Sequence, residues 1–451
     1  MTFGYRDPIL QQRRALLQAG VASALGLTLP DLFHARATSG VKLNGQAKAC
    51  ILLYMTGGPA QQETFDPKPD APSGTRGEFK PISTSVSGVQ ICEHLPRMAK
   101  LIHHCAVFRS VYHGSDTHGV GVHYNLTGLK PLQRRAGEPQ LDRKDPPGIG
   151  GVMRYLRGDR NGLPAAVQLP RPVGDQNNAM WAGQHAGILG AKYDPLFLFD
   201  ETWVPGKELP GFQPTRDLSG ERQRSRAELL RSLPSQPAKS ETEEDFTRFQ
   251  QTAFDVLNSQ KSWRAFRLDD EKPETIERYG DNRFGRSVLI ARRLVEAGVA
   301  LVTVPWMFKQ SEQNFDTHNK HFAKMKTMLL PPIDQAFSAL IEDLKERGLL
   351  SETLIAWTGE FGRTPKINKN AGRDHWGRVY SAVLAGGGIK GGRVIGKSNK
   401  EGGLPADNPV HVTDLFATMY QALGVGPETE VIDQTGRPLF PVQGKPIPTV
   451  F

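Results

Sequence analysis

Six short runs in this chain, residues 49–55, 106–111, 165–169, 299–305, 353–358 and 380–384, are apolar at nearly every position. A strand with one face in water alternates polar and apolar residues, so continuous runs predict strands covered on both faces, as in a mainly parallel sheet. The segments between them read as helices. Residues 282–297 place Phe284, Val288, Ala291, Leu294 and Val295 three and four apart, and Gly298 follows as a stop. Residues 333–347 repeat the pattern with Ile333, Phe337, Leu340, Ile341 and Leu344, ended by Gly348. Helix feeding strand, twice, predicts an α/β fold: doubly wound, with a mainly parallel sheet and helices on both faces. A last helix is expected over 413–424, with Thr413 as its cap. Polar, Pro-punctuated stretches at about 130–150 and 206–272 read as insertions.

Composition narrows the class further. A chain of 451 residues with 38% hydrophobic and 23% charged residues can bury a large core, and is neither disordered throughout nor a fibrous repeat. The net charge is +9, and residues 1–37 hold Arg6, Arg13, Arg14 and Arg36 against Asp7 and Asp31. A basic balance suits anionic substrates, while the lack of any basic block argues against nucleic acid as a partner. Arg13-Arg14 precede an apolar run over 15–29 and then Ala35-Arg36-Ala37, the pattern of a twin-arginine export signal over 1–37. An amphipathic first helix is the alternative. That signal predicts export to the periplasm or cell surface, and the expected mature chain, 38–451, has no apolar stretch long enough to span a bilayer. Cys50, Cys92 and Cys105 are too few and too scattered for a disulfide framework or a thiolate zinc site.

In a parallel sheet, ligands collect beyond the carboxyl ends of the strands, and polar clusters follow four of the runs. The first leads into Gly57-Gly58-Pro59 and then Glu63 and Asp66, oxygen donors that suit a cation or simply a solvated turn. The second enters His113, Ser115, Asp116, Thr117, His118 and His123, a density fitting metal ligation or an activated hydroxyl. After the fourth come Asp316, His318 and His321, where imidazole favours Zn, Fe, Ni or Mn over Ca. After the fifth come Glu360 and Arg363, then Arg373, Asp374 and His375; either arginine could clamp an oxyanion. Each pair alone is commonplace. Their ordered placement after successive strands predicts one metal cage built from distant segments. Gly386 to Gly392 matches no phosphate-binding glycine motif and reads as a loop.

Taken together, these residues resemble the domain-of-unknown-function family 1501, a sulfatase-like set related to the alkaline phosphatase superfamily. The carriers are Gly57-Gly58-Pro59 through Thr64-Phe65-Asp66-Pro67-Lys68, Leu126-Thr127-Gly128, Phe284-Gly285-Arg286, Ala291 through Val299, Asp316-Thr317-His318, Gly359 through Pro365, Gly372 through Trp376, and Asp414 through Thr418. The resemblance implies metal-assisted hydrolysis of phosphate or sulfate esters, on an anionic small molecule or polysaccharide, with a divalent ion (Zn, Mn, Mg or Ca). Carried onto this chain, Asp316, His318, Glu360, Asp374 and His375 would be ligands, joined by Glu63, Asp66 and His118. Thr117 or Ser115 would be the nucleophile and Arg363 the oxyanion clamp. Two departures stand out. Where the family commonly has Ser-His-x-Asp, this chain has Ala60-Gln61-Gln62-Glu63, and it has no C/S-x-P-x-R sulfatase motif. A formylglycine sulfatase is therefore not expected. The alternatives are a catalytically decayed binding protein of the cell envelope, and a buried hydrogen-bond network with no ion.

Overall fold

The computed structural model describes residues 45–131, 141–160, 162–174, 180–198, 264–307 and 314–451, with residue 225. The expected export signal, residues 132–140 of the first expected insertion and nearly all of the second lie outside the described residues. Strands of the main sheet are β1 (Ala49–Tyr54), β2 (Cys105–Tyr112), β3 (Ala166–Gln168), β4 (Leu196–Phe197), β5 (Leu301–Pro305) and β6 (Thr353–Thr358). A short hairpin, β7 (Gly362–Arg363) with β8 (His375–Trp376), precedes β9 (Tyr380–Ala385), β10 (Arg393–Ile395) and β11 (Val410–His411).

The sheet has nine strands in the order β10-β2-β9-β6-β1-β5-β3-β4, with β11 also on β2. All its pairings are parallel except those of β9, which runs antiparallel to both β2 and β6. That reversal matters for the rim. It brings the start of β9, and hence the hairpin at His375, to the carboxyl ends of the other strands. It also sends the glycine-rich stretch after Ala385 to the opposite rim.

Along β1 successive side chains enter different cores. Ile51 and Leu53 join one apolar cluster, Cys50, Leu52 and Tyr54 the other. The first is covered by α3 (Arg283–Ala297) and α4 (Leu330–Glu346), the second by α1 (His118–Thr127), α2 (Ile149–Arg157) and α5 (Val412–Ala422). Helices thus lie on both faces of a mostly parallel sheet, and burial of each large aliphatic side chain contributes about 1.5–3 kcal/mol.

The helix boundaries have local causes. The Asn282 side chain accepts a bond from Gly285 N at 3.0 Å, and Gly298 ends α3 at φ 109°. α4 begins before its apolar pattern, at Leu330, because it continues a helical run that starts at His321 and passes through a π-helical turn over Met325–Leu329 just ahead of Pro331 and Pro332. The expected cap of α5 is corrected: His411 holds that position, its Nδ1 accepting from Thr413 N at 3.3 Å. All three cysteines are buried and free. Among the described residues no helix is long and apolar enough to cross a membrane.

Candidate metal centre

The carboxyl rim is assembled on tight backbone contacts. Gly57 turns the chain after β1 with φ 100°, and its N–H donates to Glu360 Oε1 at 2.7 Å. Gly121 lets α1 settle on the strand-end residue Glu360, since a Cβ there would lie 2.6 Å from the Glu360 carbonyl oxygen. In this way β1, α1 and the loop after β6 are locked together, and α1 points its first residue, His118, across the rim.

Three segments then meet at Asp316. His375 Nε2 lies 2.9 Å and His318 Nε2 3.0 Å from Asp316 Oδ1, while His118 Nε2 is 3.5 Å from Oδ2. His318 Nε2 and His375 Nε2 are themselves 3.0 Å apart. The Nδ1 atoms are committed elsewhere: His118 to Glu360 Oε1 at 2.9 Å, His318 to Asp374 Oδ1 at 2.6 Å, His375 to the Asp116 carbonyl at 2.9 Å. Each of those partners accepts, so each Nδ1 carries the proton. In the neutral rings every Nε2 therefore turns a lone pair toward Asp316. Aromatic faces fix the ring planes: Trp181 stacks on His118 at 5.1 Å and Phe361 on His375 at 4.5 Å.

Three lone pairs facing a carboxylate need positive charge among them. Without an ion, protons supply it. Burial alone would lower the His118 pKa, but hydrogen bonds to Asp316 and Glu360 outweigh it and raise it to about 9. His318 is raised chiefly by its bond to Asp316. For Asp316, burial works upward, but the three imidazoles and Arg363 together hold its pKa far below the usual carboxylate range.

A divalent ion answers the same need. Single donor atoms of His118, Asp316 and His375 lie within 4.8 Å of one another. Ligands about 2.1 Å from a shared tetrahedral ion stand about 3.4 Å apart, close to the separations found here. The carboxylate–imidazole and carbonyl–imidazole bonds on the Nδ1 side are the usual outer support of metal-binding histidines. Glu360 Oε2 is buried with no hydrogen-bond partner among the described residues, a further acceptor left open beside the cluster. The residues present fit a metal.

The structure brings together His118, Asp316, His318, Glu360, Asp374 and His375, and leaves Glu63 and Asp66 apart. Glu63 is fully enclosed, bonded to Arg373 Nη2 at 2.7 Å and His321 Nε2 at 3.0 Å. Burial pushes its pKa up, but Arg373 and His321 prevail and hold it low. Asp66 pairs with Lys68 at 2.9 Å and accepts from Ser398 Oγ. The histidines near β2 divide as well. His113 Nε2 meets the Glu360 carbonyl at 2.6 Å, His123 is enclosed within α1's packing, and burial lowers both to about 4.

Arg363 is also placed differently from an oxyanion clamp. It is fully buried, donating Nε to Gly58 O at 3.0 Å, Nη1 to Arg373 O at 3.1 Å, and Nη2 to Gly57 O and to Asp316 Oδ1, the last at 2.7 Å. Its fork grips backbone and fixes Asp316, and no free edge faces a ligand. Ser115 Oγ and Thr117 Oγ1 lie 3.0 Å apart just ahead of α1, with Thr117 as its first cap. Sequence reasoning missed Trp181, which no motif marks, and the Asp116 carbonyl, a backbone atom invisible in residue type.

The profile of the family described as "Protein of unknown function (DUF1501)" matches residues 47–451. The chain belongs to that family. No curated protein sequence matches it. Solved structures similar to it include Ps i-CgsB in complex with k-i-k-neocarrahexaose, at TM-score 0.41 and 12% identity over 88% of this chain and 74% of that one. A protein in the alkaline phosphatase superfamily from Vibrio parahaemolyticus scores 0.37, with 12% identity over 92% and 77%. Alkaline phosphatase from the Antarctic bacterium TAB5 scores 0.32, with 14% identity over 76% and 92%.

Proposed function

We propose that the chain is an exported, metal-dependent hydrolase of phosphate or sulfate esters, with His118, Asp316, His318 and His375 as the metal's ligands. The observation carrying this reading is the convergence of three imidazole Nε2 atoms on Asp316, each ring held by an acceptor on Nδ1. A divalent ion held there would polarise an ester oxygen and lower the pKa of a hydroxyl or water. Three nitrogen donors and a carboxylate favour Zn or Mn over Mg or Ca.

The chain's own groups have separate parts. Glu360, Asp374 and the Asp116 carbonyl orient the imidazoles, and Arg363 fixes the Asp316 carboxylate. Thr117 or Ser115, at the start of α1, is the nucleophile of the reading, where the helix amino end favours a developing negative charge. Export rests on the sequence pattern over 1–37.

A second reading, a binding protein that has lost catalysis, is favoured by one observation. Among the described residues neither Ser115 Oγ nor Thr117 Oγ1 is hydrogen-bonded to an imidazole or carboxylate that could take its proton.

The test is turnover of aryl phosphate and aryl sulfate by the purified chain with added Zn, Mn, Mg or Ca. Chelator-sensitive hydrolysis is expected. Bound metal without turnover selects the binding protein, and neither metal nor turnover overturns both readings.

A further inference from the structure

Charge is distributed very unevenly along this chain. Residues 363–400 contain nine Lys and Arg and a single acid, Asp374, so this stretch accounts for nearly all of the net +9. Arg363 and Arg373 are consumed in the interior. The reversed strand β9 separates five of the others: Lys390 and Arg393 go to the amino-end rim, and Lys366, Lys369 and Arg378 stay beside the metal centre.

Those three are exposed, and other cations extend them. Lys320 N donates to Asn370 O at 3.1 Å and His321 N to Ala371 O at 2.9 Å, which lays Lys320 and Lys324 against the Lys366–Lys369 loop. On the other side Trp376 Nε1 donates to Gly403 O at 2.6 Å, bringing the turn with Lys400 up to the hairpin. Trp376 also carries Arg378, whose guanidinium sits 4.8 Å over the ring. A ring face holds the exposed guanidinium without using its N–H donors, three residues from His375. Among the described residues none of these six cations has a carboxylate partner. Of the acids close by, Asp374 is committed to His318 and Asn368 and Asp116 accepts from Gly377 N at 2.7 Å, while Glu401, next to Lys400, is exposed at the end of the row.

We propose that this rim, Lys320, Lys324, Lys366, Lys369, Arg378 and Lys400, is a docking track for a linear anionic polysaccharide that passes across the metal centre. A small ester would need one cation near the site, whereas a row of unpaired cations on both sides of His375 matches charges repeated along a polymer. Single-stranded nucleic acid fits less well, since it is held by exposed aromatic faces and Trp376 already stacks with Arg378. The inference rests on the hydrolase reading only for what the bound chain would offer the centre, and its test reads binding without turnover.

Binding of the full chain to dextran sulfate, uncharged dextran and oligo(dT) is measured against salt for two triple variants of equal charge. One is Lys366→Gln/Lys369→Gln/Arg378→Gln on the track; the other is Lys345→Gln/Lys390→Gln/Arg393→Gln at the opposite rim. The track variant is expected to lose about 10-fold or more in dextran sulfate affinity, with a salt slope smaller by about three, and the opposite-rim variant less than about 2-fold. Uncharged dextran should not bind. Equal losses in the two variants, or tighter binding of oligo(dT) than of dextran sulfate, overturn the proposal. These results are independent of whether aryl esters are hydrolysed, so failure here and failure of the hydrolase reading are told apart.

Discussion

Two clusters built from the same residue types lie on adjoining loops and differ in what they leave open. In the first, Thr317 donates to His321 Nδ1 at 2.6 Å, His321 Nε2 donates to Glu63, and Arg373 pairs with the other Glu63 oxygen. Both imidazole nitrogens there are matched, and the carboxylate meets its counter-charge in Arg373. In the second, Asp316 has Arg363 as its counter-charge, but His118, His318 and His375 spend their Nδ1 protons outward and turn three further lone pairs toward it, so more acceptors converge than that one cation answers. Nearness of acids and imidazoles does not mark a site. The direction of the unspent lone pairs does.

The difference is tested most strongly at Asp316. Asp316→Asn removes the negative charge of the common acceptor and should cut metal affinity by at least about 100-fold, by titration calorimetry, with little loss of secondary structure by circular dichroism. Arg373→Met acts on the closed cluster, leaving Glu63 charged and enclosed. About 3–5 kcal/mol of stability should be lost in urea unfolding, with metal stoichiometry unchanged in the folded fraction. If both variants lose metal alike, the two clusters are one unit and the contrast fails.

Outer support gives a smaller effect. Asp374→Asn keeps the shape but weakens the acceptor on His318 Nδ1, so metal affinity should fall about 10- to 100-fold while binding persists. An unchanged affinity would remove His318 from the ligand set.

Proton linkage is the mildest test. In the metal-free protein His118 has a pKa of about 9 against an ordinary 6.5. Its contribution to stability is complete below pH 6.5 and is lost as pH rises through about 9. The melting temperature of metal-free protein should therefore decline across that window, and Zn or Mn should flatten the decline by taking the place of the proton. A decline of the same slope with and without metal contradicts that exchange.

Much of the architecture was legible because burial on both faces leaves unbroken apolar runs such as those at Cys50 to Tyr54 and Leu354 to Trp357. The direction of β9 was not, since a short apolar strand reads alike either way; only its pairing with β2 and β6 reveals it. The members of the rim cluster were visible as acids and imidazoles after strands. Their partition was not: the separation of His318 from His321, or of Glu360 from Glu63, depends on which way each side chain leaves its loop. Arg363 illustrates the limit. Its residue type suits an anion clamp, but enclosure against the Gly57 and Gly58 carbonyls spends its donors on the backbone.

The central claim is that the Asp316 cluster holds a divalent ion, and elemental analysis of the purified full chain, dialysed after exposure to Zn, Mn, Mg and Ca, tests it most directly. The account predicts at least one tightly held ion per chain, absent from Asp316→Asn and retained by folded Arg373→Met. No ion above background in the wild-type chain, or the same content in Asp316→Asn, would contradict it.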